Sequence, residues 1–248
     1  MIFLYRKQSL RPFARRFPPT AAHFLDFLEI GEDGRVSLLP QHEEKIAIAL
    51  KQYHNAKDKL LEISFVSLTG ANPKCISSLR SLKVDYLFLL REIALACSSL
   101  ESECLFYLSA AVSDFYLPEE RMSEHKIQSR ERHSGLNLDL LPVPKMLGVL
   151  TKVWAPKCFV VSFKLETQQE LLHDKVLGSF SSYGQQVIIG NLLSSHKDKI
   201  CLYKQAECDN PLFIQRTEEE KTSQIDIETL FIPKLAEIHR SFILTKQK

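Results

Sequence analysis

Short runs of consecutive apolar residues alternate along this chain with segments whose apolar positions recur at helical spacing. The runs are Ile2–Tyr5, Leu61–Val66, Leu105–Leu108, Phe159–Phe163, Val187–Ile189 and Ile200–Tyr203, all rich in β-branched or aromatic residues. Being apolar on both faces, they suit the central strands of a parallel sheet. Between them, Glu43–Lys59 places Ile46, Ala49, Leu50 and Tyr53 on one helical face. Val84–Leu100 does the same with Leu87, Leu90, Ile93, Ala94 and Cys97, and Lys145–Trp154 with Met146, Leu150 and Trp154. In Thr167–Gly184, Thr167 and Glu170 fit a capping box and Gly184 a C-terminal glycine, with Leu171, Leu172, Val176 and Phe180 as the buried stripe. Phe231, Leu235, Ile238 and Phe242 outline a last amphipathic helix, in which Pro233 is tolerable only in the first turn. Strands alternating with helices predict an α/β fold with a mostly parallel sheet.

One region breaks this pattern. Pro118–Ser134 holds four acids, four bases and two histidines, with almost no apolar content. It then enters Leu136–Leu140, which reads as an alternating strand. A charged loop of this length is either a solvated excursion or a flap over a site. The charge run Glu218–Lys221 reads as a solvated face.

Length and charge narrow the class. With 248 residues, 45% hydrophobic and 25% charged, the chain can bury a full core, so a single domain spanning 1–248 is expected. A net charge of +2, with lysines and arginines dispersed, gives no footprint for nucleic acid. No apolar run approaches the roughly 20 residues of a membrane helix. The segment from Arg6 to Arg16 is basic and lacks acids, a pattern compatible with a mitochondrial leader. The six cysteines show no Cys-x-x-Cys spacing, and Cys97, Cys104 and Cys158 lie in apolar runs. They read as reduced, mostly buried thiols of a cytoplasmic or nuclear protein rather than as a disulfide or zinc framework, and no metal ligands are expected.

The chain has no G-x-G-x-x-G, no P-loop, no zincin histidine pair and no G-x-S-x-G elbow. What remains is a set of unusual strand ends, and in open α/β sheets ligands bind beyond the carboxyl ends of strands. After Leu105–Leu108 come Ser109, Ala110, Ala111, Val112, Ser113 and Asp114. The alanines leave room for a ligand beside the backbone, and Asp114 can accept its hydrogen bonds; alternatively, the alanines pack on a helix and Asp114 caps the next turn. At the second end, Phe163 is a stacking platform for a base or a core residue, and Lys164 a phosphate ligand. At the third, Asn191 reads a base or ribose with donor and acceptor together, or forms a turn. In the flap, Lys126 either closes over phosphate charge or is simply solvated. Each bland reading is adequate alone, but all four features would fall on one edge of one sheet.

Several of these stretches occur together, in order and spacing, in a known family. Ala110–Tyr116, Glu124–Ser129, Val143–Leu147 and Trp154–Pro156 through Ser162–Thr167 closely resemble eukaryotic phosphopantothenate–cysteine ligases of coenzyme A synthesis. The resemblance covers nearly the whole chain. It implies a Rossmann-like, three-layer α/β domain acting as a homodimer, with no nucleic-acid or membrane partner. It also implies a two-step ligation, in which the carboxylate of 4'-phosphopantothenate attacks the α-phosphate of a nucleotide and the amine of L-cysteine then displaces that nucleotide. ATP with Mg2+ is the implied co-substrate, with CTP the alternative. Carried across by position, Ala110, Ala111 and Asp114 line the phosphopantothenate arm, Phe163, Lys164 and Asn191 contact the nucleotide, and Lys126 is the catalytic flap lysine.

The departures from the family are of two kinds. Ser109 and Gln168 replace a usual alanine and aspartate, which are mild changes. Before the strand matching Ile2–Tyr5, family members carry a further strand, a glycine-rich phosphate turn, an asparagine and an arginine that reaches the partner's site. Nothing in this chain matches them, so an amino-terminally truncated fold is expected. A non-catalytic short form that partners the full-length enzyme is therefore the alternative to an active ligase.

Overall fold

The computed structural model describes residues 1–6, 27–65, 78–110, 114–116, 118 and 139–246. They fall into two compact units, Met1–Tyr86 with Pro118–Asn137, and Leu87–Leu117 with Leu138–Lys248.

In the first unit, β1 (Ile2–Arg6) pairs in parallel with β4 (Leu61–Phe65), Ile2 opposite Leu61 and Arg6 opposite Phe65. A short hairpin joins β2 (Leu28–Ile30) to β3 (Val36–Leu38). It turns at Gly34, whose φ of +75° suits a residue without Cβ. Helix α1 (Pro40–Ala56) buries Ile46 and Ala49, whereas Leu50 and Tyr53, expected on the same face, are 47% and 42% exposed. The buried stripe of α1 is thus narrower than its apolar periodicity, which reports where apolar side chains can go rather than what covers them.

The second unit carries α2 (Ser78–Cys97) from Leu87 onward, with Leu90 and Ala94 buried. Its centre is a five-stranded sheet of β5 (Leu105–Leu108), β8 (Phe159–Glu166), β9 (Val187–Leu192), β10 (Lys199–Lys204) and β11 (Leu212–Gln215), in spatial order β11-β10-β9-β8-β5. β5, β8 and β9 run parallel, with Leu108 opposite Ser162 and Leu165 opposite Asn191. β10 and β11 are antiparallel to their neighbours. This corrects the expectation that Ile200–Tyr203 is a parallel strand. Only Leu193–Asp198 separates β9 from β10, and a parallel crossover needs a dozen residues or more. Two-residue strands β6 (Phe115–Tyr116) and β7 (Leu141–Pro142) pair antiparallel beside the sheet. They close the neck of the segment that the sequence marks as a flap, most of which lies outside the described residues. Leu136–Leu138 of the strand expected at Leu136–Leu140 lie outside the described residues, Asp139 and Leu140 are not strand, and β7 begins at Leu141.

Helices cover both faces of this sheet, which makes three layers. On one face α6 (Ile227–Lys246) buries Ile227, Phe231 and Leu235 against Phe159, Val161, Val187, Ile189, Ile200 and Leu202, with Ile238 and Phe242 beside them. On the other, α4 (Gln169–Tyr183) sets Leu172, Val176 and Phe180 against Ile188, Cys201 and Tyr203. Leu171 is 42% exposed and drops out of the stripe. The N-cap of α4 is Gln168, without a side-chain cap, so the box expected at Thr167 and Glu170 does not form. β8 runs on through Glu166, and the chain is still extended at Gln168. Gly184 ends α4 at φ +72°, as a C-terminal glycine should.

A true capping box lies elsewhere. Thr217 and Glu220 exchange hydrogen bonds at the start of α5 (Glu218–Thr222), the stretch that reads as a plain charge run. α6 begins at Ile227, which puts Pro233 in its second turn rather than its first. The ring lies on the exposed face, and burial of Phe231 and Leu235 on either side offsets the roughly 3 kcal/mol that an interior proline costs. Between the sheet's elements, α3 (Met146–Val149) continues as a π-turn, Leu150–Trp154, that buries Leu150 and Trp154. Among the described residues no helix is long and apolar enough to cross a membrane.

Candidate functional site

Because β5, β8 and β9 are parallel, their carboxyl ends share one edge of the second unit's sheet. Ala110 lies just beyond β5, exposed, as does Ser109. Phe163 and Lys164 are in the second half of β8, where burial fades from complete to partial. Asn191 is the fifth residue of β9, also half-buried. Three of the four expected strand ends therefore meet in space. The fourth, with Lys126, and also Ala111, lie outside the described residues.

Side-chain alternation divides this edge into two faces. Phe159, Val161 and Phe163 point towards α6, and so do Val187, Ile189 and Asn191. Phe163 packs edge-to-face on Tyr107, with ring centroids 5.1 Å apart and planes at 78°. One side of its ring thus belongs to the core, and its remaining surface adjoins Leu165 and Asn191 in the register. The Asn191 side chain makes no hydrogen bond among the described residues, which leaves its amide donor and acceptor for a ligand. Burial around Tyr107 and the nearby Glu228 carboxylate raise the tyrosine's pKa above the usual phenol range, so it stays neutral.

The opposite face is charged. Ser162 faces α4 through buried Gln185, which donates to Ser162 Oγ at 3.2 Å and Ser179 Oγ at 2.8 Å. Two residues on, Lys164 shares that face, and Glu166 follows with an ion pair to Lys175 of α4 at 2.7 Å. Asp114 lies within electrostatic reach of Lys164 and accepts a hydrogen bond from Lys145 Nζ. The bond from Lys145 and its charge, with a smaller contribution from Lys164, hold the Asp114 carboxyl below the usual carboxylate range. The Asp114 side-chain partner among the described residues is Lys145. The Asp114 backbone carbonyl accepts from Val143 N–H at 2.8 Å, and the β6–β7 ladder follows immediately. The ladder, this backbone bond and the Asp114–Lys145 pair anchor both ends of the flap segment at one neck.

Lys145 is the residue that reasoning from strand ends does not find. It sits in the motif Val143–Leu147 but not after a strand, and its partner is 31 positions away. Its one sequence signal is being the sole charge between Leu140 and Thr151. Gly190, the residue before Asn191, has a structural reason for its identity. A Cβ there would lie 3.0 Å from the Tyr203 ring and 3.2 Å from Leu172. Among the described residues no group of three or more His, Cys, Asp or Glu is arranged to hold a metal ion.

Comparison with known proteins places the chain among relatives of one family. Residues 91–225 match the family model described as DNA/pantothenate metabolism flavoprotein C-terminal domain. Phosphopantothenate–cysteine ligase of Mus musculus is 37% identical over 255 residues, covering 99% of this chain and 74% of the mouse protein. Phosphopantothenate–cysteine ligase 2 of Oryza sativa subsp. japonica is 34% identical over 246 residues, covering 98% and 68% respectively. A solved structure of a Cab2 mutant in complex with phosphopantothenate-cysteine superposes with a TM-score of 0.78 at 30% identity, over 100% of this chain and 74% of that one.

Proposed function

The chain belongs to the phosphopantothenate–cysteine ligase family, and on that premise we propose that it joins 4'-phosphopantothenate to L-cysteine through an acyl-nucleotide. In the first step a carboxylate oxygen of phosphopantothenate attacks the nucleotide α-phosphate, and the bond to pyrophosphate breaks. In the second the cysteine amine attacks the acyl carbon, and the nucleoside monophosphate leaves. ATP is the proposed co-substrate, with CTP the alternative, and the working species is a cytoplasmic homodimer.

The observation that carries this reading is the convergence of Ala110, Asp114, Phe163, Lys164 and Asn191 on one sheet edge, with apolar and charged faces separated. Ala110, exposed just beyond β5, leaves the backbone open to the pantothenate arm, and the family resemblance assigns Ala111 to the same arm. Asp114, ionised at neutral pH and held in place by Lys145, is purely an acceptor and suits an amide or hydroxyl of that arm. Phe163 and Asn191 take the base, Lys164 a phosphate oxygen, and Lys126 stabilises charge that develops on the phosphate. Mg2+ would accompany the nucleotide and offset the charge on its phosphates.

Pyrophosphate release tests the proposal, with ATP, Mg2+, phosphopantothenate and cysteine present and each omitted in turn. Release that needs ATP and phosphopantothenate but not cysteine is the expected result. No release, with phosphopantothenate still bound in calorimetry, would replace the ligase by the non-catalytic alternative. Neither release nor binding would remove the site assignment as well.

A further inference from the structure

Three thiols meet at the amino-terminal ends of β5 and β8, opposite the edge just described. Cys97 ends α2, Cys104 immediately precedes β5, and Cys158 immediately precedes β8. All three are free, and the Cys97 and Cys158 thiols lie close enough to Cys104 to raise its pKa. The backbone places Cys104 and Cys158 together independently of their side chains. Leu105 and Phe159 are register partners, and Phe159 N–H donates to the Cys104 carbonyl at 2.9 Å. The two cysteines are thus neighbours one residue before the first rung. Paired strands lie about 4.8 Å apart. Disulfides span Cα separations of about 4.4–6.8 Å. Cys158 is 2% exposed, whereas Cys97 and Cys104 are half-buried, so an oxidant meets Cys104 before Cys158.

We propose that Cys104 and Cys158 form a redox-modification site, closed to a disulfide by a peroxide acting as two-electron oxidant. The Cys104 sulfur attacks one peroxide oxygen, the O–O bond breaks, and a sulfenic acid and one water form. The Cys158 sulfur then attacks the Cys104 sulfur. The hydroxyl leaves with the Cys158 proton as a second water, and the S–S bond remains. The two thiols lose two electrons and hydrogen peroxide gains them. Cys97, within electrostatic reach of Cys104, is the competing resolving thiol.

Burial, reinforced by the two neighbouring thiols, pushes the Cys104 thiol up to about 12, so little thiolate exists at neutral pH. The site therefore responds to sustained rather than brief oxidant exposure. The bond would tie together the starts of the two strands whose far ends carry Ala110, Phe163 and Lys164. The loop it closes contains Asp114 and Lys145.

Intact-mass measurement and non-reducing peptide mapping of the full chain after hydrogen peroxide test this. The expected result is loss of two hydrogens, a linked pair of peptides containing Cys104 and Cys158, reversal by dithiothreitol, and a higher melting temperature for the oxidised form. Cys97→Ser should keep the link. Cys158→Ser should remove it, and Cys158→Ser combined with Cys97→Ser should leave a Cys104 sulfenic acid that dimedone traps. A chain that stays fully reduced, links through Cys75 or Cys208 instead, or runs on to sulfinic acid without linking would overturn the proposal. Mapping of the unaltered chain decides the matter even where a variant fails to fold.

Discussion

At the scale of single residues, a lysine distant in sequence decides the state of the key acid. Asp114 is paired with Lys145 and lies near Lys164, and these cations hold its carboxyl below the roughly 3.9 of a free aspartate. Both partners are well exposed, so the pair contributes under about 1 kcal/mol to folding. With a depressed folded pKa, that small contribution is present above the unfolded value and is lost as pH falls through the folded one. The pair matters more for orienting the Asp114 carboxylate. In Lys145→Met, carboxyl carbon NMR should show Asp114 titrating closer to a free aspartate, with phosphopantothenate affinity reduced while overall stability changes little. An unmoved titration would mean that Lys145 does not act on Asp114 in solution. Gly190 shows a different residue-level constraint. Tyr203 and Leu172 are both fully buried and cannot yield to a new Cβ at 3.0–3.3 Å. Gly190→Ala should therefore lower stability by about 1–3 kcal/mol, read as a shift in denaturant midpoint at constant slope.

At the scale of elements, the two helices that sandwich the sheet hold the site's platform. Phe231 of α6 is 2% exposed and packs among Phe159, Val161 and Ile189, on the face that continues outward to Phe163 and Asn191. Phe231→Ala should cost about 3–5 kcal/mol and blunt nucleotide binding together with stability. A variant that stays as stable as the parent would show that α6 is not the anchor of that face. The apolar periodicity of α2, α4 and α6 marks these helices plainly in the sequence, and Gly184 marks where α4 ends. Their starts are less legible. Thr167 and Glu170 have the right spacing for a capping box, yet the box forms at Thr217 and Glu220. The difference is that β8 holds the chain extended past Thr167, while nothing holds Thr217 away from its helix.

At the scale of the whole molecule, the proposed ligase function carries an expectation for ligand linkage. Phosphopantothenoylcysteine at 100 times its dissociation constant should add about 2.7 kcal/mol to unfolding, a melting shift of roughly 5–10 °C for a chain of this size. Asp114→Asn should shrink that shift and leave the unliganded melting temperature near the parent's. An equal shift in both chains would take Asp114 out of the binding site.

By itself the sequence determined the class of fold, the buried strands and helices, and which strand ends depart from core composition. Those features are local: a run of β-branched residues or a 3.6-residue repeat is written within a few turns of chain. The resemblance to the ligases was legible in stretches such as Ala110–Tyr116 for the same reason. Only the tertiary structure decided that β10 and β11 run antiparallel, that Phe163 and Lys164 look to opposite faces, that Lys145 finds Asp114, and that Cys104 stands opposite Cys158. Each of these depends on strand direction, pleat or register. Register sets which side chains meet across a sheet, and it is specified by the packing of whole layers rather than by neighbours in the chain.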